Sequence, residues 1–274
     1  MSVFETFIDP NEEALGNKFL TQGYLNHPVD NRSALDALRH AIVEIVAEHI
    51  GAPLPKDEAH FLNFVHEQVP VEKLNDMRLK VFSKMNAIPW FKPTYYGLAK
   101  SALDAVVGNE LAMQSSVNLS VQYPNDRSSL LSVHADTWSE ESPFQVVAWL
   151  PLVDVYDTKA MYLLSPEKNR TVNKRLRDIS KTGGSDKLFE AYEKDFEWVK
   201  VPYGNVLVFS PNLLHGNVVN VTPETRWSMN VRFKGLFTPY MSEEKKLGDF
   251  YLPITTKVVT RVGINYKVPE GFDE

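Results

Sequence analysis

Residues 203–235, YGNVLVFSPNLLHGNVVNVTPETRWSMNVRFKG, decide how this chain is read. Pro202-Tyr203-Gly204-Asn205 is a turn, Val206 to Phe209 is an unbroken apolar run with the look of a buried strand, and a short loop then delivers His215. A polar connection leads to a returning strand that opens on Arg226-Trp227-Ser228 and runs through Phe233. Residues two apart on a strand share a face, so Arg226 and Ser228 sit together. A histidine just past a buried strand, with Arg-x-Ser on the returning one, puts a metal ligand and an anion-binding pair in one neighbourhood. Upstream, residues 133–138, VHADTW, supply a matching half-site in His134 and Asp136.

In an extended or turn conformation His134 and Asp136 point to the same side and can take adjacent positions on one ion. His215 fits as the third ligand. Two imidazoles and a carboxylate on one face of an octahedral ion leave open positions, the arrangement of non-haem Fe(II) oxygenases. Of the seven histidines only these two lie beyond residue 66; His40, His49, His60 and His66 ride on helical stretches at spacings unsuited to a shared ligand face. The plain alternative is that His134 and His215 are satisfied core or loop histidines, and it weakens once Asp136 and the Arg226/Ser228 pair are added. Arg226, eleven residues after His215, offers a planar fork for a carboxylate, and Ser228 adds a hydroxyl. Arg232 shares that face and is the rival arginine. Gln122, on the polar face of its own strand, is a further helper for the same anion.

Outward from this core, residues 117–123, 145–152 and 160–164 read as strands, the first by strict alternation. Between the last of these and residue 201 lies a polar, Lys/Arg-rich insertion, 166–199, with helical stretches at 174–179 and 187–196 and a Gly183-Gly184 hinge. It is either a solvated helical pair or a lid that closes on an anionic substrate. The first ~110 residues are mostly helical by periodicity: an irregular or short-helical lead-in over 1–29, then helices near 33–50, 57–68, 71–87 and 95–107. The tail carries one strand candidate, 257–262. Helices followed by short strands without βαβ alternation imply an α+β fold with an antiparallel barrel or sandwich, and a jelly roll fits best because its interior is roomy. The division is 1–110 helical region, 111–240 catalytic core, 241–274 extension, in one domain.

Composition narrows the chemistry. The 274 residues are 43% hydrophobic, enough for a sizeable core, and a net charge of −6 argues against nucleic acid as the partner. With no cysteine, any metal is held by His, Asp or Glu. The acidic start and the lack of a long apolar run point away from secretion and membrane spans, toward a cytoplasmic protein. Composition leaves the oligomeric state undetermined.

The set His134-x-Asp136, His215 and Arg226-x-Ser228, flanked by HADTW, QVVAWLPLVD, GNVLVFSPNLLHG and RWSMNVRF, resembles the Fe(II)- and 2-oxoglutarate-dependent dioxygenases. Within them it is similar to the phytanoyl-CoA-hydroxylase-like branch, near the oxygenases of sporadic bacterial carbohydrate-biosynthesis clusters. The resemblance covers about residues 115–240. It implies a double-stranded β-helix (a cupin-like jelly roll), Fe(II) on His134, Asp136 and His215, and 2-oxoglutarate with its far carboxylate on Arg226 and Ser228. It also implies O2 as oxidant and hydroxylation of a small molecule such as a sugar or nucleotide-linked sugar. Halogenating relatives lack the carboxylate that Asp136 provides, which argues against that outcome. The insertion departs from the short turn of many relatives, and loops around the barrel mouth choose the substrate. Two other classes compete: a metal-containing jelly roll that only binds sugars or small molecules, for which Arg226 and Ser228 would have no use, and a zinc cupin, for which too few histidines remain. Trp90, Trp138, Trp149 and Tyr95 are either an aromatic substrate wall or core, with core the simpler reading.

Overall fold

The computed structural model describes residues 7–182 and 185–271. After α1 (Pro10–Gln22) comes β1 (Tyr24–Pro28), then α2 (Arg32–Ile50), α3 (Glu58–Asn63), α4 (Val71–Ala87), α5 (Phe91–Leu98) and α6 (Lys100–Val106). The β-rich part follows: β2 (Leu111–Gln114), β3 (Asn118–Gln122), β4 (Gln145–Pro151) and β5 (Met161–Leu163). The insertion holds α7 (Pro166–Thr182), α8 (Ser185–Tyr192) and β6 (Glu197–Val199). The chain ends through β7 (Asn205–Phe209), β8 (His215–Gly216), β9 (Arg226–Gly235), β10 (Tyr251–Pro253) and α9 (Val258–Ile264).

Two antiparallel sheets face each other, as in a jelly roll. The larger runs β1-β7-β4-β9-β2-β10 with β3 also on β9, and the smaller runs β6-β5-β8. Strand β9 is the spine: its 10 residues take β3 at one end and β2 at the other on one edge, and β4 along the other edge. Its alternation sorts the molecule into layers. Trp227, Met229, Val231 and Phe233 point outward into a core shared with Leu38, Ile42 and Val46 of α2, Met77 and Val81 of α4, and Tyr95 of α5. Arg226, Ser228, Asn230 and Arg232 occupy the other face, between the sheets. Beside them on that inner face, Val147, Trp149, Leu207 and Phe209 meet Met161, Leu163 and Val199 of the small sheet in a second apolar cluster. Burying a large aliphatic or aromatic side chain contributes about 1.5–3 kcal/mol, so the helical layer is a structural half of the fold.

Several expectations are corrected. The lead-in is not wholly irregular or helical, because β1 joins the large sheet beside β7, register Tyr24↔Phe209 to Pro28↔Asn205. Strands β2 and β10 are short and were not evident from alternation. The expected strand at 257–262 is helix α9: Val258, Val259 and Val262 are 70%, 82% and 66% exposed, so this β-branched run has no sheet to bury it. The single helix expected at 95–107 begins at Phe91 and breaks at Ala99 into α5 and α6, and the one at 57–68 ends at Asn63 before a separate 3₁₀ turn, Val65–Glu67. Helix α2 matches its sequence signals: Asn31 caps it through Ala34 N–H, and Gly51 closes it at φ 69°. The Gly183-Gly184 hinge lies outside the described residues. No described helix is long and apolar enough to cross a membrane.

Candidate metal and carboxylate site

The loop after β7 is tied down before it reaches His215. Ser210 N–H donates to the Gly23 carbonyl at 2.9 Å, and Asp136 N–H to the Pro211 carbonyl at 3.0 Å. His134 and His215 then exchange both backbone hydrogen bonds, at 3.0 and 2.9 Å, which lays the two imidazoles side by side with ring centres 4.3 Å apart. Gly216 has to be glycine here: a Cβ would stand 2.5 Å from the Tyr162 hydroxyl and 2.7 Å from the Leu131 carbonyl. From α7, buried Asn169 accepts from Leu214 N–H at 2.9 Å and donates to the Asn212 carbonyl at 3.1 Å, bracing the same loop from behind.

Both histidines are oriented in the same way. Each Nδ1 lies 2.8 Å from the carbonyl two residues before it, Ser132 for His134 and Leu213 for His215. A carbonyl only accepts, so Nδ1 carries the proton and each Nε2 keeps its lone pair for a ligand. Those Nε2 atoms lie 3.6 and 3.7 Å from Asp136 Oδ1, and the three ligand atoms all fall within 4.8 Å of one another. Metal–ligand bonds of about 2.0–2.2 Å put neighbouring ligands roughly 3 Å apart, so a small inward adjustment closes the set on one ion.

Electrostatics favour a cation at this point. Burial opposes charge on Asp136, but the adjoining His134 and the Arg232 guanidinium that donates to it outweigh burial and hold the carboxyl well below the usual range. Burial pushes His215 down to about 4, so it is a neutral ligand at ordinary pH. Arg232 Nη2 and Nε donate to Asp136 Oδ2 at 2.8 and 3.2 Å, and Nη1 to Gln114 Oε1 at 3.2 Å. Glu141 Oε1 lies 3.5 Å from Arg232 Nε and 3.0 Å from Lys245 Nζ, while its Oε2 accepts from Gln145 and Tyr251. Asp136 is thus the inner end of a buried network that reaches the last third of the chain.

The rival arginines are separated by their partners. Arg232 is spent on Asp136. Arg226 is 4% exposed and, among the described residues, faces no carboxylate and has no partner for its Nε, while its Nη2 donates to Ser120 Oγ at 3.2 Å. Burial with no counter-charge pushes its guanidinium down to about 10. Ser228 Oγ, two residues along the same face, is likewise buried without a partner among the described residues. Gln122, opposite Arg226 in the β3–β9 register, donates its amide nitrogen to the Val218 carbonyl at 2.7 Å and leaves Oε1 unpaired among the described residues. That amide would have to turn over before it could donate to a carboxylate.

A cavity of about 130 Å³ joins the metal candidates to Arg226, with His134, Asp136, His215 and Arg226 on its polar side and Val147, Trp149, Met161 and Phe209 on its apolar side; Ser228 and Gln122 are not among its lining residues. Of the aromatic candidates, only Trp149 lines it. Tyr95 is core, its hydroxyl bonded to the Ala148 carbonyl at 3.0 Å, and Trp90 and Trp138 are 44% and 48% exposed elsewhere. The insertion packs on the outer side of the small sheet, with Val172, Leu188 and Phe196 against Val133, Leu164 and Leu214. None of its described residues lines the cavity. Sequence reasoning missed Asn169, Gly216, Ser120 and Glu141. The dipeptide His215-Gly216 was the one visible signal, and the others act through contacts between distant segments.

No protein-family model matches the chain, and neither does any curated protein. Solved structures do. The apo non-heme monooxygenase ThoJ aligns with a TM-score of 0.57 at 14% identity over 89% of this chain and 84% of its own. The non-heme alpha-ketoglutarate-dependent carbocyclase SnoK from nogalamycin biosynthesis gives 0.54 at 16% identity, over 91% and 97%. HygX from Streptomyces hygroscopicus, with nickel and 2-oxoglutarate bound, gives 0.51 at 15% identity, over 85% and 89%. Across nearly its whole length, then, the chain shares the jelly-roll fold of non-heme, 2-oxoglutarate-linked oxygenases.

Proposed function

We propose that the protein is a non-haem Fe(II)- and 2-oxoglutarate-dependent oxygenase that hydroxylates a small molecule, with a sugar or nucleotide-linked sugar as the substrate class suggested by its sequence resemblance. One observation carries the reading: a His-Asp-His set able to hold one ion shares a small cavity with a buried arginine that has no carboxylate partner among the described residues. A buried charge left unpaired is costly, and an anion that pairs with Arg226 would remove that cost. Fe(II), 2-oxoglutarate and O2 together supply oxidative decarboxylation of the keto acid to succinate and CO2, coupled to hydroxylation of a C–H bond.

The chain's own residues have separable tasks in this reading. His134 and His215 present Nε2, and Asp136 stays ionised under Arg232. Arg226 and Ser228 hold the far carboxylate of the co-substrate, and Val147, Met161 and Phe209 keep water from the reacting side. A cytoplasmic setting, where Fe(II) and 2-oxoglutarate are both at hand, belongs to the same reading. A jelly roll that merely binds sugar gives Arg226 no task. Succinate release that requires both Fe(II) and 2-oxoglutarate tests the reading. It fails if purified, iron-loaded protein releases none, or if His215→Ala releases as much as wild type.

A further inference from the structure

We propose that the groove between α4 and the 126–131 connection is the substrate-binding surface, and that it takes a neutral or anionic amphipathic molecule too large for the inner cavity. This inference deepens the oxygenase reading and rests on it. Size is the first argument. The inner cavity, about 130 Å³, is the size of a single five-carbon keto acid, whereas the groove encloses about 800 Å³. Pockets for drug-sized molecules run about 300–1,000 Å³. Continuity is the second. Leu131, His134, Asn230 and Arg232 wall both spaces, so the groove meets the inner cavity at His134, one of the candidate metal ligands.

The lining decides the chemistry. Helix α4 has two stripes: Met77, Val81 and Met85 are buried in the core, while Asn75, Arg78, Leu79 and Phe82, at helical spacing, line the groove. Leu79 and, across from it, Leu131 are 49% and 56% exposed, apolar surface offered at the same place. Ser128 and Ser129 stand on the opposite wall with their hydroxyls donated to Asp126 Oδ2 at 2.7 and 3.2 Å, and no carboxylate is among the described lining residues. The described partner of Arg78 is the neutral amide of Asn75, at 2.8 Å. In a chain of net charge −6, a groove lined by Arg78 and by no described acid, with Asp126 behind it already tied to two serine hydroxyls, admits neutral and anionic molecules more readily than cations.

The absence of cysteine gives a clean test that needs no known substrate. Leu79→Cys is alkylated with N-alkylmaleimides of increasing chain length, supplied with Fe(II), 2-oxoglutarate and O2, and the labelled peptide is weighed. Lys80→Cys, next on the helix and outside the groove lining, is the control. One atom of O2 enters a C–H bond of the tether and the other enters succinate; 2-oxoglutarate loses CO2 and supplies two electrons, the C–H bond the other two. The expected result is a tether at position 79 that gains one oxygen once the chain is long enough, and a control that does not. No added oxygen at any length, or equal addition at both positions, while wild type releases succinate, overturns the groove assignment alone. If wild type releases no succinate, the oxygenase reading fails and takes this inference with it. Charge preference is read with 8-anilinonaphthalene-1-sulfonate, an anionic aromatic amphiphile, on nickel-loaded protein. Arg78→Glu is expected to weaken its binding about tenfold, and unchanged affinity overturns the anion preference.

Discussion

Arg226 and Arg232 lie on one face of one strand, six residues apart, and the structure gives them opposite surroundings. Arg232 is neutralised by Asp136 and Glu141; Arg226 is buried beside a serine hydroxyl with no counter-charge among the described residues. Their truncations should therefore fail differently. A charge-assisted hydrogen bond contributes about 1.5–3 kcal/mol, so Arg226→Ala is expected to weaken 2-oxoglutarate binding roughly ten- to a hundredfold while a full equivalent of metal stays bound. Arg232→Ala removes the two hydrogen bonds that fix Asp136 with Oδ1 toward the histidines, and should lower metal affinity instead. Titrating Ni(II) and then 2-oxoglutarate into each variant by calorimetry separates the two, and the same loss from both substitutions would sink the assignment. A second expectation concerns Gly216. Because a Cβ there meets the Leu131 backbone at 2.7 Å, Gly216→Ala should displace His215 and cost metal affinity, although alanine introduces no charge or large group. Retention of wild-type nickel affinity in that variant would show that the loop yields instead.

At the scale of elements, the insertion acts on the site from behind. Asn169 sits in the first turns of α7, yet it hydrogen-bonds both sides of the segment that delivers His215. Asn169→Ala leaves the buried Leu214 N–H unpaired, at about 1–3 kcal/mol, and frees the part-buried Asn212 carbonyl. It should lower stability to urea and weaken metal binding together, whereas Lys168→Ala, next to it but on the solvent side, should change neither. If Asn169→Ala loses stability and keeps its metal affinity, α7 is a brace for the fold only. This coupling marks what a single sequence could yield. The HxD pair, His215 and the strands carrying them were legible because their signals are local: alternation, turn residues and spacing. Strand β1 was hidden because Tyr24 to Pro28 gains its strand character from pairing with β7, about 180 residues later. Asn169, Ser120 and Glu141 were hidden for the same reason, since each is defined by a partner that only the fold brings near. The valines at 258–262 show the converse, a local strand signal that no neighbouring sheet takes up.

Across the whole molecule, one long strand divides the labour. The outward side chains of β9 join the helices in the main core, and its inward side chains carry the charged groups of the site. Near its end, Lys234 faces inward but away from the cavity, and it is 0% exposed. Its Nζ donates to the carbonyls of Thr238 and Pro239 at 3.0 and 2.6 Å and lies 3.3 Å over the ring of Tyr240. No carboxylate pairs with it among the described residues, and burial pushes its ammonium down to about 8. An unfolded lysine titrates near 10.4. Below pH 8 both states are charged and the fold carries the full burial cost; between the two values the folded side chain is neutral while the unfolded one still binds a proton. Stability must then rise with pH across that window, by at most about 1.4 kcal/mol per unit. The ring groups beside it do not interfere, because burial raises Tyr240 and Tyr251 above their ordinary range and keeps them neutral there. Urea unfolding of wild type and Lys234→Met at pH 7.5 and 9.5 isolates the effect: wild type should gain on the methionine variant as pH rises. A stability difference that is the same at both pH values would mean that the two carbonyls and the Tyr240 ring fully replace the water this ammonium gave up.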